Sequence, residues 1–306
     1  MSQPPAPTFA IAGAARAGST AVAEAVRRHP DAFVCQPKEP HYYALANTDV
    51  SFTGPGDDIT INRVAVTDRT KFLELFTTTA ATTARGDGSV STLYYYDRSI
   101  PVMKDVNPDM RVVIILRHPV DRAYSSYQYL RVRGFEPLDD FLTAVSKEED
   151  RKRDNWHHLW HYTSMSYYAS SVAAFKEKFG PSRVHVLLHD DLTAEPAPSI
   201  NAVYEFLGLD PRLAPAEVAR VNVSGKPRRA GVQQAISWAS RHEAVRSGLK
   251  RVVPFSLRER IRSANLQPNS ASTAEFSELQ SLFREDLLGL QDVLGRSLAP
   301  WLSPDR

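Results

Sequence analysis

Three short stretches carry residue types whose spacing suits chemistry on phosphate-like groups. The first is TFAIAGAARAGSTAVAEAV, residues 8–26. Gly13 and Gly18 have the spacing of the glycines in G-x-x-x-x-G-K-[ST], yet Ser19 stands where that nucleotide loop has its lysine. A glycine-rich turn entering a helix points the N–H groups of Gly18, Ser19 and Thr20 at an anion, and the helix dipole favours negative charge there. Arg16, beside Ala17 inside the turn, forks two oxygens of a phosphate or sulfate and so replaces the missing cation. Taken alone, the same residues equally describe a tight turn that packs a helix on a sheet.

The second stretch is LRHPVDRAYSSY, residues 116–127. Arg117 at the end of an apolar strand and Ser125 two helical turns later converge on a second anion at the edge of a sheet, where ligands of open α/β folds sit. The plainer alternative pairs Arg117 with a carboxylate and leaves Ser125 on a helix surface. A nucleoside triphosphatase has a magnesium-binding aspartate at such a strand end, and this chain has Arg117-His118. Two phosphate cradles without that aspartate point to a nucleotide with phosphates at two separate places.

The third stretch is KEPHYY, residues 38–43. Pro37 and Pro40 exclude regular helix around Glu39, so its carboxylate is held on a rigid, extended segment and can take a proton from a hydroxyl or amine. His41 is placed to assist Glu39 or to contact the acceptor. Without such a task, Lys38-Glu39 is an exposed charge pair.

Elements that position these groups are legible around them. Phe9–Ala12 reads as a strand, Ser19–Arg28 as a helix, and Ala32–Cys35 as a short strand. Residues 47–70 read as a loop and Thr70–Phe76 as a short helix. After the turn residues GDG, a strand is expected over Ser89–Leu93, then a helix over Ser99–Val106. Val112–Leu116 is a continuous β-branched run, as in a central parallel strand, and Pro119 opens the next helix. SMSYYASSVAAFKEKFG, RVHVLLHDDL and PSINAVYEFLGL read as helix, strand and helix, the helices stopped by Gly180 and Gly208. The alternation predicts an α/β fold, a P-loop-like, doubly wound central parallel sheet flanked by helices, with a helical C-terminal region. One domain over 1–306 is expected, its α/β core in 8–210 and a loop with further helices in 211–306.

Composition narrows the classes. The 306 residues are 42% hydrophobic and 24% charged, ordinary globular values. With 37 basic and 35 acidic side chains the net charge is +2, so no nucleic-acid partner is expected and any anion site is local. The lone Cys35 fits a reducing compartment. MSQPPAPTF has no basic segment leading into an apolar one, and nowhere do about eighteen apolar residues run together, so neither a leader nor a membrane span is expected and the location expected is cytoplasmic.

AGAARAGST, KEPHYY and LRHPVDRAYSSY, in this order, resemble the sulfotransferases that use 3′-phosphoadenosine 5′-phosphosulfate (PAPS), particularly the heparan-sulfate-modifying enzymes and their bacterial relatives. The resemblance spans residues 8–230 and implies the following. Arg16, Ala17, Gly18, Ser19 and Thr20 hold the 5′-phosphosulfate, Arg117 and Ser125 hold the 3′-phosphate, and Glu39 is the catalytic base with His41 beside it. Lys226 and Arg228, in NVSGKPRR, match a basic loop that closes over the cofactor. No metal is implied, PAP is the product, and the acceptor is a small molecule, glycan or lipid. Two positions depart from the family: most members have lysine at Arg16, and some have a lysine at Gly88, which shifts the catalytic load onto Arg16, the loop amides and Ser89. In RKRDNWHHLWHYT (151–163), His157 and His161 have metal-pair spacing on a helix, but with no third ligand the expectation is that they, Trp156 and Trp160 line or rim the acceptor pocket. Tyr94–Tyr96 are expected there as well, with half-buried packing as the alternative. A magnesium-dependent P-loop nucleotide kinase and a non-catalytic nucleotide-binding relative are the competing readings.

Overall fold

The computed structural model describes residues 5–78, 82–215, 225–227, 266–268 and 271–303, the two three-residue segments through their backbone alone. Five strands, β1 (Phe9–Gly13), β2 (Ala32–Val34), β3 (Ala84–Asp87), β4 (Arg111–Leu116) and β5 (Val184–Leu188), form one sheet in the order β2-β3-β1-β4-β5. Every pairing in it is parallel. This is the α/β sheet that the alternating pattern predicts. The residues of β1 are all buried, as are Val112–Leu116 of β4. Each aliphatic side chain so enclosed contributes about 1.5–3 kcal/mol of transfer free energy, which fixes these two strands as the centre.

Helices α1 (Ser19–Arg27), α2 (Ser91–Tyr94), α3 (Tyr96–Val106), α4 (Pro119–Val132), α5 (Ala169–Phe179), α6 (Pro196–Leu207) and α7 (Thr273–Leu294) are the ones that matter to the site. The Tyr204 hydroxyl of α6 donates to the Ala25 carbonyl of α1 at 2.6 Å, and α3 meets α5 where Lys104 sits over the Phe179 ring. A capping box of Ser272 and Glu275 opens α7. Phe276, Leu279, Phe283, Leu287 and Leu290 of that helix join the core that contains the sheet, so the C-terminal region is helical as expected. Gly225–Pro227 and Leu266–Pro268 form a two-stranded antiparallel pair, β6 and β7.

The chain leaves β1 for β2 and β3 on one side and reaches β4 and β5 on the other. The loops after β1, β3 and β4 therefore meet where the strand order reverses, the crevice in which such sheets bind ligands.

Three local expectations change, the simplest being a four-residue helix at Ile61–Val64 inside the expected loop 47–70. The strand expected over Ser89–Leu93 ends earlier, at Asp87, and Ser91–Tyr94 is helical. The cause is local: the Asp87 carboxylate accepts both the Ser89 amide, at 3.2 Å, and the Ser89 hydroxyl, at 2.5 Å, which turns the chain. Leu93 then packs on Gly13, where an added Cβ would lie 3.0 Å from the Leu93 Cβ. Likewise the helix read from SMSYYASSVAAFKEKFG begins only at Ala169. Asp286 of α7 accepts the amides of Tyr168 and Ala169 at 2.7 and 3.1 Å and so sets that start from outside the segment.

Candidate active site

The turn between β1 and α1 is anchored at both ends. The Ala14 amide donates to the Ile115 carbonyl of β4 at 2.6 Å, continuing the ladder past the end of β1. Gly18 caps α1 at φ 105°, a left-handed conformation that favours glycine, with no side-chain cap on the helix's first amides. A Cβ at Gly18 would also lie 3.0 Å from Leu192. Arg16 itself is left-handed, at φ 68°, so the backbone turns at the residue that carries the cation. Ala17 and Ser19 are buried in the turn, and Thr20 is partly exposed on the first turn of α1.

The second stretch comes to the same place. Arg117, leaving β4, donates through Nη1 to the Arg16 carbonyl at 3.1 Å. Arg16 Nε donates to the Ser125 hydroxyl of α4 at 3.3 Å. The Arg16 guanidinium also stacks 4.5 Å from the Tyr129 ring, and Arg133 covers Tyr129 at 4.3 Å. The two anion cradles read from the sequence thus share Arg16. Arg122 of the same motif has another fate: fully buried, it donates to the Ser166 hydroxyl at 2.6 Å and to the Tyr162 carbonyl.

Glu39 lies beyond β2, its side chain about 30% exposed and its Oε1 2.7 Å from Lys38 Nζ. Burial acts to raise the Glu39 pKa, but the Lys38 ammonium and hydrogen bonds from Lys38 and the Val90 amide outweigh it, holding the carboxyl below its usual range. It is an anion at neutral pH. Lys38 in turn runs over Gly88: the Gly88 amide donates to the Lys38 carbonyl at 2.8 Å, and a Cβ at 88 would lie 3.3–3.4 Å from Lys38 Cγ, Cδ and Nζ. Its ammonium therefore stands where a side chain at 88 would begin.

His41 is 6% exposed. Its amide donates to Ser89 Oγ at 3.0 Å and its Nδ1 is 2.8 Å from Ser91 Oγ. Burial lowers its pKa to about 4, against the opposing pull of Glu39, so the ring is neutral. The Ser89 hydroxyl, bound to Asp87 and His41, is 1% exposed. His41 and Ser89 tie the Glu39 segment to β3.

The helical spacing expected of His157 and His161 is not found in 151–163. His157 lies outside any helix, and a short 3-10 turn covers His158–Trp160. His157 Nδ1 contacts Asp57 Oδ1 at 2.6 Å, and Trp160 donates to the same oxygen at 3.1 Å. His161 turns the other way, its Nδ1 2.9 Å from the Tyr94 hydroxyl and its Nε2 3.1 Å from the Trp156 carbonyl. Nothing among the described residues groups three or more His, Cys, Asp or Glu as a metal site. Trp160 is wholly buried. Tyr94 and Tyr96, by contrast, line a cavity beside Ala14 of the turn, whereas Trp156, Trp160 and these histidines do not.

Lys226 sits on β6, whose backbone lies beside α4; Arg228 lies outside the described residues. Lys38, Asp87, Tyr129 and Arg133 are neighbours of the site that the motif reading passes over. For the last two a signal exists: Ser125, Tyr129 and Arg133 recur every four residues along α4 and its C-terminal cap.

The model of the sulfotransferase family matches residues 7–212. A sulfotransferase from Alicyclobacillus acidocaldarius is similar in structure, with 26% identity, a TM-score of 0.76, and coverage of 97% of this chain and 99% of that one. The mouse sulfotransferase SULT7A1 complexed with PAP matches at 14% identity and a TM-score of 0.45, over 94% of this chain and 88% of that one. No curated protein matches the sequence. Among the described residues no helix is long and apolar enough to cross a membrane.

Proposed function

The chain belongs to the sulfotransferase family, and from that premise we propose that it moves the sulfuryl group of PAPS to a hydroxyl or amine of an acceptor, as one catalytic domain. The observation that carries this reading is the Arg16 bridge. One guanidinium joins the glycine turn after β1 to Ser125, while Arg117 from β4 holds the Arg16 carbonyl. A donor with phosphate at its 5′ and 3′ positions matches such paired cradles, and the residues present fit it: cations, hydroxyls and an uncapped helix N-terminus.

In this reading Glu39 accepts the acceptor's proton as the acceptor oxygen bonds to sulfur and the bond from sulfur to the bridging oxygen breaks. The charge that develops on that oxygen falls to Arg16 and to the amides of Gly18, Ser19 and Thr20. Arginine holds such charge but is a poor proton donor, so the leaving group departs as an anion. Lys38 keeps Glu39 ionised and ready, and His41, neutral and buried, holds the base's segment against β3. Ala17 packs the turn, Arg117 and Ser125 take the 3′-phosphate, and Lys226 and Arg228 close over the nucleotide.

A thermal-shift comparison tests the donor site. PAP is expected to stabilise the protein, and ATP with Mg²⁺ is not; the reverse result would support a kinase. Transfer of labelled sulfate from PAPS to an acceptor tests turnover.

A further inference from the structure

A cavity of about 220 Å³ opens between the donor turn and the segment that follows β3. Its walls connect it to the chemistry on both sides. Ala14 belongs to the turn that the sulfotransferase reading assigns to the donor, and Val90 supplies the amide that holds Glu39. The cavity thus borders the donor turn through Ala14 and the Glu39 segment through Val90.

The size and lining limit what that molecule is. A cavity of about 150 Å³ accommodates benzene, and pockets for drug-sized ligands begin at about 300 Å³; the space here suits one or two rings. Val90, Leu93 and Met165 make it apolar, and Tyr94 and Tyr96 make it aromatic. Hydroxyls come from Ser164 and from Ser170 and Ser171 of α5, the groups that orient an uncharged polar ligand.

Charge points the same way. Among the described residues the lining holds one carboxylate, Asp286, and no lysine or arginine. Lys152 donates to Ser164 from behind the wall, but Glu148 and Glu149 pair with it at 3.4 and 2.6 Å. Burial first, and then the field of Glu148, pushes the Tyr94 hydroxyl up to about 12, so it stays protonated. An anionic acceptor would meet these carboxylates without a compensating cation.

We propose that this cavity is the acceptor site and that the acceptor is an uncharged one- or two-ring alcohol or phenol, not an anionic glycan. The inference rests on the sulfotransferase reading above. It is tested with the full chain, PAPS and three probes: 2-naphthol, its anionic analogue 6-hydroxy-2-naphthoate, and an N-sulfated heparan oligosaccharide. The expected kcat/KM for 2-naphthol exceeds that for the naphthoate by at least about tenfold, since the described lining, with a carboxylate and no cation, rejects the buried charge. No transfer to the oligosaccharide is expected. Ser170→Trp, an exposed helix position on the lining, is expected to cost 2-naphthol at least about tenfold by filling the cavity, with the stabilisation by PAP unchanged.

Equal use of both naphthols, transfer to the oligosaccharide, or indifference to Ser170→Trp would overturn the assignment. Stabilisation by PAP with transfer to none of the probes would overturn the acceptor inference and leave the donor reading standing. Absence of stabilisation by PAP would remove both.

Discussion

Two regions of this molecule look chemical in the sequence, and they are built in opposite ways. The segment 151–163 is dense in histidine, tryptophan and arginine, and its groups are largely consumed by its own packing. Glu136 receives Arg151 at 2.9 Å and the Tyr162 hydroxyl at 2.6 Å, and Arg151 lies over the rings of Trp156, Trp160 and Tyr162. The turn at 13–20 is mostly alanine and glycine, and Arg16 and Arg117 tie it to α4 and to the end of β4, at the point where the strand order reverses. A functional residue type is thus a weak guide by itself. What separates the regions is where the polar groups stand: in the buried packing of one segment, or at the crevice where the sheet's strand order reverses.

The comparison predicts that substitutions in the first region cost stability and those in the second cost rate. Glu39→Gln carries the largest expected effect, a loss of sulfuryl transfer of about 10²–10⁴-fold with PAP binding retained; transfer at the parent rate would remove Glu39 from the role of base. Next is Arg151→Met, which strands Glu136 in the interior and is expected to cost about 3–5 kcal/mol in denaturant unfolding. Turnover per folded molecule should stay near that of the parent, and a variant that kept its stability but lost its rate would reverse the comparison. Arg16→Ala should lower kcat by about 10²–10³-fold, the loss typical of a donor to developing negative charge, with little change in melting temperature.

Asp87 gives a smaller effect with a defined sign. Burial raises its pKa from 3.8 to about 6, against hydrogen bonds from Ser89. Between these values the folded protein binds more protons at Asp87 than the unfolded chain, so this group's contribution to stability falls as pH rises from about 4 to about 6. The change is on the order of 2–3 kcal/mol, and Asp87→Asn should abolish it. Unfolding curves for both proteins across that pH range supply the check; parallel curves would refute the buried titration.

Much of the fold and part of the site are legible in the sequence because their determinants are local. Val112–Leu116 announces a doubly covered strand, Gly13 and Gly18 announce the turn, and Pro119 announces α4. What escapes depends on partners far along the chain. Lys38 meets Gly88 because β2 and β3 pair in register, Ala32 with Ala84 and Val34 with Gly86, and no spacing within either segment reports that. The start of α5 is fixed by Asp286, more than a hundred residues later. The histidines mislead because Asp57, which claims His157 and Trp160, lies in a polar loop with nothing catalytic to mark it. Tyr129 and Arg133, by contrast, were within reach of helical spacing from Ser125.

The shortness of β2 has a consequence for how activity fails. Lys38 and Glu39 follow a three-residue edge strand that pairs only with β3, whereas the donor turn follows β1 at the sheet's centre. Edge segments open at lower free energy than central ones, so the Glu39 segment is expected to loosen before the turn after β1. On warming, fraying of β2 withdraws the carboxylate while the crevice at β1 and β4 persists. Under the proposed roles, nucleotide binding would outlast turnover, and heat inactivation is expected to precede melting.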